Sequence, residues 1–346
     1  MLHWETGAGP GYNALMPWIG AAGALATFLA SLLATRLVLA QLSRRAILDH
    51  PNPRSSHAVP TPRGGGLALI VVLLPAWLLV ALLAPGGSPA ALWPLGAALM
   101  LAAVSWRDDL AGLPALPRIV VHIAAVAMGL LAFAGAGPIC GGLLPLPLDR
   151  AAAGLVWLWF LNLFNFMDGI DGIAGAETAA LGIGVALVAW LAALDPASAL
   201  YGVTAAAAAL GFLWWNWHPA RIFLGDVGSV PLGYLLAWLL LELAVRGAWA
   251  AALILPLYYL ADASFTLLAR VVRGERIWRA HREHFYQRAV RGGMSHAQVV
   301  HAILIADAAL VALALWSVAA PAGPPLALSV LAVALLLAFL GTRRPA

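Results

Sequence analysis

The chain has 346 residues, of which 63% are hydrophobic and only 10% are charged, and its mean hydropathy is +0.91. A soluble domain carries about 25% charged residues, so this composition excludes a soluble globular protein and indicates an integral membrane protein. All nineteen basic residues are arginine, and the formal net charge is +4. The single cysteine, Cys140, excludes an internal disulfide and any cysteine cluster for zinc or iron–sulfur. The N-terminal residues lack the basic segment of a signal peptide, so we expect no cleaved leader.

Eleven apolar segments are long enough to cross a bilayer, which takes about 17–25 helical residues. In chain order they cover residues 17–42, 65–84, 90–106, 115–134, 151–166, 173–194, 197–217, 228–245, 248–270, 299–319 and 322–341. The fifth is short and its end merges into a polar motif. The sequence therefore predicts an all-α polytopic membrane protein, with about eleven transmembrane helices in one domain over residues 1–346.

Arginine is concentrated in alternate loops, and this bias predicts the orientation through the positive-inside rule. Only Arg150 and Arg246 lie in loops on the opposite side. We therefore expect the N-terminus outside and the C-terminus inside. The cytoplasmic loops predicted in this way cover approximately residues 43–64, 107–114, 166–173, 218–228 and 271–298.

The acidic side chains in the loops follow the same alternation and fall mostly on the cytoplasmic side. A transporter or lipid flippase, which is the alternative function, would place polar groups at mid-membrane and on both sides. The one-sided distribution favours an active site at the cytoplasmic face. In the last large loop, the pattern predicts a short amphipathic helix at about residues 277–290, lying at the membrane interface.

Two amides and two carboxylates, spaced by three residues, occur in the segment Asn162-Leu-Phe-Asn165-Phe-Met-Asp168-Gly-Ile-Asp171-Gly172. A charged group at a bilayer centre costs about 3 kcal/mol or more, so such residues are rare in apolar chains unless they have a function. The segment indicates a site for a cation or a polar substrate at a membrane edge. An Asp-Gly turn that caps the sixth span is the structural alternative.

Two further cytoplasmic segments carry carboxylates suited to metal or phosphate binding. Asp108 and Asp109 are adjacent and repel each other unless a cation or arginine is nearby, which indicates a divalent metal or, alternatively, a solvated loop pair. Asp226 lies between Gly225 and Gly228 just before the eighth span. A helix start offers amide donors to phosphate, and Asp226 could ligate Mg²⁺. The alternative is an ordinary N-cap.

Two basic segments have the side chains that bind anionic groups. His281, Arg282 and His284 lie in the longest polar segment, and histidine and arginine both bind diphosphates. Zinc binding and attraction to anionic lipid are the alternatives there. His57 and Arg63 lie in a loop that proline and glycine keep non-helical. A loop that only sets topology is the alternative in that case.

Taken in order, these segments resemble the polyprenyl-phosphate N-acetylhexosamine-1-phosphate transferases. That superfamily includes phospho-MurNAc-pentapeptide translocase of peptidoglycan synthesis and the transferases that initiate O-antigen synthesis. The resemblance covers residues 49–291, and Asn216 before Pro219 is a further matching residue within this range. Its specificity lies in the order and cytoplasmic placement of the motifs.

The resemblance implies transfer of a sugar 1-phosphate from a UDP-N-acetylhexosamine, by default UDP-GlcNAc, to undecaprenyl phosphate in the bacterial inner membrane, with release of UMP. It implies Mg²⁺ as cofactor, with Mn²⁺ as the alternative ion, and no nucleic acid partner; a homodimer is left open. Asp226 resembles the metal ligand, and Asp108 and Asp109 resemble the catalytic pair. The implied substrate-binding residues are Asn165, Asp168, Asp171, Asn216, Phe223 (near the uracil), His281, Arg282 and His284, with His57 and Arg63 in place of a first-loop lysine.

Three departures separate this chain from the peptidoglycan branch. It has no lysine, its last loop reads His-Arg-Glu-His instead of three histidines, and an eleventh span precedes Arg343 and Arg344. We therefore expect a smaller UDP-N-acetylhexosamine as donor and a role in O-antigen, lipopolysaccharide or other cell-surface polysaccharide synthesis. Direct attack by the lipid phosphate is favoured over a two-step route through an aspartyl-phosphate on Asp108 or Asp109, and both routes are chemically open.

Overall fold

The structure is a computed structural model that describes residues 10–51, 56, 59–275 and 281–342, with side chains from residue 18 onward. Thirteen α-helices lie within these residues. They are α1 (Pro10–Arg44), α2 (Gly66–Leu83), α3 (Leu92–Ala111), α4 (Ala115–Leu130), α5 (Leu146–Met167), α6 (Ile173–Leu191), α7 (Pro196–Asn216), α8 (Asp226–Leu243), α9 (Trp249–Ile254), α10 (Leu257–Val272), α11 (Phe285–Arg291), α12 (His296–Ala319) and α13 (Gly323–Gly341). Two short strands, β1 (Leu48–Asp49) and β2 (Thr61–Pro62), pair antiparallel.

Nine helical segments in the described ranges are long and apolar enough to cross a membrane, so the prediction of a polytopic, mostly helical membrane protein is confirmed. The predicted span over 248–270 is wrong as a single helix. It is divided into α9 and α10 at Leu255 and Pro256, because proline cannot continue the hydrogen-bond ladder. The expected end of the eighth span is instead a π-helical turn, Ala244–Ala248, in which Gly247 has φ 94°. The number of crossings and the orientation stay predictions.

The central helix of the bundle is α8. It packs against α2, α3, α5, α6 and α7, and its residues from Val227 to Leu241 are all buried. The contact with α2 is close: a Cβ on Gly66 would lie 2.2 Å from the Cα of Gly228. Glycine is therefore required where these two helices begin side by side. The buried aromatic side chains of Trp77, Tyr201 and Trp238 pack on one another farther along α8.

Helix ends bring the polar motifs to one end of the bundle, which we call the site end. Here α3, α5 and α7 finish and α4, α6 and α8 begin. The segment after β2 runs beside the segment before α8, since the amides of Gly64 and Gly65 donate to the carbonyl of Phe223. The opposite end, where α5 begins and α8 finishes, we call the far end. A 22-residue helix such as α5 separates the two by about 33 Å.

The last large loop differs from its prediction. A helix was expected from residue 277, but residues 281–284 are not helical and α11 begins at Phe285. Residues 276–280 lie outside the described ranges. The start of α11 is fixed by the buried Asp262 of α10, whose carboxylate accepts the amides of Phe285 and Tyr286. A side chain distant in sequence therefore determines where this helix begins.

Candidate active site

Three carboxylates and two guanidinium groups meet at the site end. Arg63 lies 2.9 Å from Asp109 and 3.0 Å from Asp226, while Arg118 lies 2.9 Å from Asp108 and 3.4 Å from Asp226. The side chains of the two arginines are 36% and 37% exposed, whereas that of Asp226 is 17% exposed. Asp226 is therefore shared between both arginines, and the cluster has one more negative than positive charge.

The two adjacent aspartates have different surroundings. Both oxygens of Asp109 accept amides from the first turn of α8, at 3.1 Å from Asp226 N and 2.9 Å from Val227 N, and its side chain is only 1% exposed. Asp109 therefore acts as a cap for a helix that is not its own, where a carboxylate satisfies free N–H groups. Asp108 instead accepts the amide of Leu113 and pairs with Arg118.

The motif at the end of α5 reaches the same cluster. The hydroxyl of Ser229 in α8 donates to Asn165 Oδ1 at 2.6 Å, which ties α5 to the start of α8. Asp168 follows the last residue of α5. Burial, together with the negative charge of Asp226, raises the pKa of Asp168 to about 7, against the opposing effect of Arg63. This carboxyl group therefore adds to an excess of acid that the two arginines do not neutralise.

An apolar cavity of about 630 Å³ opens from this cluster between α3, α4 and α5. Its polar end contains Asp108, Arg118 and Asp226. Most of the other lining side chains are apolar. A partly buried pair crosses from α4 to α5 along the wall, where His122 Nδ1 lies 3.1 Å from Asn162 Oδ1. The cavity thus combines a charged end with a long hydrocarbon wall, which suits an amphiphilic ligand.

Asp171 belongs to a second polar cluster beside the first. Its Oδ2 atom lies 2.7 Å from His218 Nδ1 and 3.2 Å from His296 Nδ1, and it accepts the amide of Ala220 at 3.1 Å. Burial opposes ionisation of this carboxyl group, but the hydrogen bonds from the two histidines hold the pKa of Asp171 below its usual range. Asp171 is therefore an anion held by protein groups.

Asn216 connects the glycine of the same motif to the segment after α7. Its Oδ1 atom accepts the amide of Gly172 at 3.1 Å, and its Nδ2 group donates to the carbonyl of Ile222 at 2.8 Å. The side chain is buried. Asn216 therefore holds the backbone of two loops in place.

The histidine loop lies against the other side of the motif. His284 is 2% exposed and its Nδ1 atom lies 3.2 Å from Asp262 Oδ1. His281 stacks on His284 with ring centroids 4.9 Å apart. Burial lowers the pKa of His281 to about 4, with further lowering by His284 and Arg270, so His281 is neutral at pH 7. The hydroxyl of Tyr286 donates to the carbonyl of Phe166, which joins α11 to the end of α5.

Comparison with known proteins by sequence assigns this chain to a family. The model of glycosyl transferase family 4 matches residues 91–244. A decaprenyl-phosphate N-acetylglucosaminephosphotransferase from Mycobacterium tuberculosis is 32% identical over 324 residues, which cover 82% of this chain and 77% of the relative. The chain belongs to the polyprenyl-phosphate N-acetylhexosamine-1-phosphate transferase superfamily.

Two other relatives lie on different branches of the superfamily. A probable undecaprenyl-phosphate N-acetylglucosaminyl 1-phosphate transferase from Bacillus subtilis is 26% identical over 300 residues, which cover 80% of each chain. A phospho-N-acetylmuramoyl-pentapeptide-transferase from Microcystis aeruginosa is 31% identical over 175 residues, or 48% of this chain and 47% of the relative. The similarity to the relatives named for N-acetylglucosamine thus extends over more of the chain.

The structure shows where most of the residues expected from the superfamily resemblance lie. Those in or beside the acid–arginine cluster are Arg63, Asp108, Asp109, Asn165, Asp168 and Asp226. Asp171, Asn216 and His284 make the protein contacts described above, and His281 stacks on His284. The backbone of Phe223 pairs with the segment that contains Arg63. Arg282 is half-buried beside the stacked histidines, and His57 lies outside the described residues.

Several residues of this transferase were not among the expected site residues. Arg118 and Ser229 complete the acid–arginine cluster, while His218 and His296 surround Asp171. Arg118 had a signal in the sequence, since it lies just inside the start of the fourth span near Asp108. His218 and His296 had none, because each is a lone histidine at a helix boundary, and they meet only where the start of α12 packs onto the rest of the bundle.

Proposed function

We propose that this protein transfers an N-acetylhexosamine 1-phosphate, by default that of UDP-GlcNAc, to undecaprenyl phosphate, giving undecaprenyl-diphospho-N-acetylhexosamine and UMP. The observation that carries the proposal is the acid–arginine cluster at the mouth of the 630 Å³ apolar cavity. A polyprenyl phosphate has one charged end and a long hydrocarbon chain, and this arrangement offers a matching surface to both.

The lipid acceptor is assigned to the cavity between α3, α4 and α5. Its isoprenoid chain would contact the apolar wall, whose hydrocarbon side chains match it in polarity. Arg118 lies at the charged end and would pair with the lipid phosphate, because a guanidinium group binds phosphate through two parallel hydrogen bonds. This pairing would bring the phosphate next to Asp108 and Asp226.

The nucleotide sugar is assigned to the side of the cluster that carries Arg63. Arg63 bridges Asp109 and Asp226, and it would be the cation nearest the diphosphate of the donor. Phe223 pairs with Arg63 through its backbone, which supports the uracil contact expected from the resemblance. Asp168 lies on the motif after α5, and His281 and Arg282 lie on the loop before α11. We assign these three side chains to the same wall of the donor site.

A divalent cation fits the carboxylates present. Burial, together with the negative charge of Asp226, raises the pKa of Asp168 to about 7, and a bound Mg²⁺ or Mn²⁺ ion near these carboxylates would hold both ionised. Asp226 is the ligand we propose, together with phosphate oxygens of the donor. Such an ion would neutralise charge on the diphosphate as the new bond forms.

The reaction proposed is direct in-line displacement. A lipid phosphate oxygen attacks the phosphorus that carries the sugar, a new diphosphate bond forms, and the bond to the bridging oxygen breaks, so that UMP leaves with its electron pair. The lipid phosphate is already an anion and needs positioning more than deprotonation. Arg63 and Arg118 hold the two phosphates close together and balance the charge that accumulates between them.

Asp108 and Asp109 receive different roles in this mechanism. Asp109 has both oxygens engaged by the first turn of α8 and is proposed as a positioning residue that holds Asp226 in place. Asp108 lines the cavity and orients Arg118. The two-step alternative would need a carboxylate oxygen free to attack phosphorus, and Asp108 is the more suitable of the two.

The donor and the pathway rest on relatives and on the sequence. The matches to N-acetylglucosamine-1-phosphate transferases cover about four fifths of the chain, and those to two pentapeptide transferases cover 48% and 69%. The longer matches support a simple UDP-N-acetylhexosamine as donor. The predicted orientation supports a site at the cytoplasmic face of a bacterial inner membrane, and the role in initiating O-antigen or another surface polysaccharide rests on the departures from the peptidoglycan branch.

Mass spectrometry of the lipid product tests the proposal. Purified protein, undecaprenyl phosphate and Mg²⁺ are incubated in turn with UDP-GlcNAc, UDP-GalNAc and UDP-MurNAc-pentapeptide. We expect undecaprenyl-diphospho-N-acetylhexosamine from one of the first two and none from the third. A transporter or flippase would instead move label across sealed vesicles without forming UMP or a diphospholipid. That result would overturn the proposal.

A further inference from the structure

The second polar cluster contains the donor set of a metal site. Asp171, His218 and His296 come from the loop after α5, the loop after α7 and the first residue of α12, and their ligand atoms all lie within 4.8 Å of one another. We propose that these three side chains bind a divalent transition metal of the zinc class, at a site separate from the carboxylates around Asp226. The three side chains would bind the metal in the protein alone, whether or not the enzymatic reaction takes place.

The geometry of the cluster supports convergence on one ion. The Nδ1 atoms of His218 and His296 lie 2.7 Å and 3.2 Å from the same oxygen of Asp171. Zinc forms bonds of about 2.0–2.2 Å to imidazole nitrogen and carboxylate oxygen, so neighbouring ligand atoms around it lie about 3–3.5 Å apart. The two separations from Asp171 differ from that range by a few tenths of an ångström at most, and all three ligand atoms lie within 4.8 Å of one another.

Hydrogen bonding alone leaves the cluster inconsistent at His296. Its Nδ1 atom lies 3.2 Å from an acceptor, Asp171 Oδ2, and 3.3 Å from a donor, the amide of Asp171. One ring nitrogen cannot donate to the first and accept from the second at the same time. A metal bound to the lone pair of His296 Nδ1 and to Asp171 Oδ2 would replace the proton between these two atoms, and the amide of Asp171 would then need another acceptor.

The donor types select the class of ion. Two imidazoles and one carboxylate suit Zn²⁺ and its neighbours among the transition metals, whereas Mg²⁺ prefers oxygen ligands in an octahedral arrangement. Asp171 and His296 are both about nine-tenths buried, while the His218 side chain is 37% exposed. Three protein ligands with one accessible side leave a coordination position for water or another small ligand.

An ion at this position would link three segments of the site end. Asp171 adjoins Gly172, whose amide is held by Asn216, and His218 precedes the segment that leads to Asp226. His296 is the first residue of α12. This helix packs against α6, which directly follows the loop that contains Asp171. The ion would therefore fix the loop after α5 against the loop after α7, as structural metals do in other small loops.

Zinc binding by the purified full-length protein tests the proposal. The protein is stripped with a chelator, titrated with ZnCl₂ in detergent, and its bound zinc is measured by elemental analysis and by calorimetry. We expect about one zinc per chain. His218→Gln and His296→Gln should each weaken binding by roughly 100-fold or more, because losing a ligand exceeds the 10–100-fold cost of losing a supporting contact.

The matched control is His301→Gln. His301 lies on α12 only five positions after His296, but it packs on Trp217 and is outside the cluster, so the variant should bind zinc as the wild type does. His281→Gln should also retain the zinc, which separates this site from the stacked histidines of the last loop. Co²⁺ provides a second readout, since His/Asp ligation produces visible absorption bands that His218→Gln would alter.

Two results would overturn the proposal. One is a wild-type protein that binds no zinc at micromolar concentration, and the other is equal zinc binding by the wild type and by both cluster variants. Thermal unfolding of each variant without zinc serves as the folding check. The exposed His218 side chain makes His218→Gln the variant that is expected to fold normally.

Discussion

At the far end of the bundle, Arg150 is enclosed by its own partners. It pairs with the fully buried Asp149 and donates to the carbonyls of Phe133, Ala136 and Gly137. At the site end, Arg63 and Arg118 have no such carbonyl partners among the described contacts and share Asp226 between them. The comparison separates an arginine that holds a loop together from two arginines that share a carboxylate, one of which, Arg118, lines the cavity.

The acids are arranged differently at the two ends. At the far end, three carboxylates form separate pairs with two arginines, since Arg150 pairs with Asp149 and Arg246 pairs with Asp195 and Glu242. At the site end, three carboxylates and two arginines form one cluster in which both arginines share Asp226, and the nearby Asp168 adds a fourth acid. Acids gathered in this way around shared arginines indicate a place where a cation and phosphates bind.

The largest expected effect concerns Arg118 at the site end. Arg118→Gln removes the cation at the mouth of the cavity, and loss of one such charge-stabilising donor typically costs about 10²–10³-fold in rate. We expect that loss in the rate of UMP release, with little change in the temperature of unfolding. Unchanged turnover in this variant would contradict the assignment of the lipid phosphate to Arg118.

The converse variant is Arg150→Gln at the far end. Asp149 would remain buried without its cation, which costs about 3 kcal/mol or more. We expect a clear fall in the unfolding temperature in detergent, while the folded fraction releases UMP at the wild-type rate. A variant with normal stability and lost turnover would remove the distinction between the two ends.

These two arginines also show how far the sequence alone could predict the molecule. Arg118 lies just inside the start of the predicted fourth span, and Arg150 lies in the loop just before the predicted fifth span. The predicted orientation puts them on opposite sides, but their neighbouring residues do not indicate what either side chain binds. The helical bundle and the gathering of Asp108, Asp168 and Asp226 at one end follow from hydropathy and from the alternation of loops. The functions of Arg118 and Arg150 depend on which helices pack beside them.

Burial of single polar residues was still harder to predict. The bonds of Asp262 to the start of α11 join positions more than twenty residues apart. His284 is expected to contact substrate, and the structure shows its side chain buried against Asp262. Asp171 was expected at the nucleotide and is held by His218 and His296. Motif spacing does not encode such contacts, since they form only when separate helices pack.

A third prediction sharpens the charge comparison through pH. The pKa of Asp168 is raised to about 7, so this carboxyl group is ionised above pH 7 and protonated below it. A proton then competes with a divalent cation, and the affinity for Mn²⁺ should fall by up to about tenfold per pH unit below 7. Paramagnetic resonance of Mn²⁺, without substrates, measures this affinity.

The control for the pH effect is Asp168→Asn. This variant should bind Mn²⁺ more weakly at pH 8, and its affinity should no longer change steeply between pH 7 and pH 6. An affinity of the wild type that stays constant from pH 8 to pH 6 would show that Asp168 does not face the cation.

The smallest effect is expected for Arg246→Gln at the far end. Its ion pairs with Asp195 and Glu242 are about one third exposed, and such pairs contribute about 0–1 kcal/mol. We expect a small shift of the unfolding temperature and an unchanged rate of UMP release. A large loss of turnover would indicate that the far end also takes part in the reaction.

The most direct test of the account is UMP release by the wild type and by Asp226→Asn. Both proteins are assayed with undecaprenyl phosphate, a UDP-N-acetylhexosamine and Mg²⁺, and thermal unfolding confirms that both are folded. The account predicts release by the wild type only when all three components are present, and none above background by Asp226→Asn. Turnover by the variant within a few-fold of the wild type would contradict the assignment of Asp226 and of the site built around it.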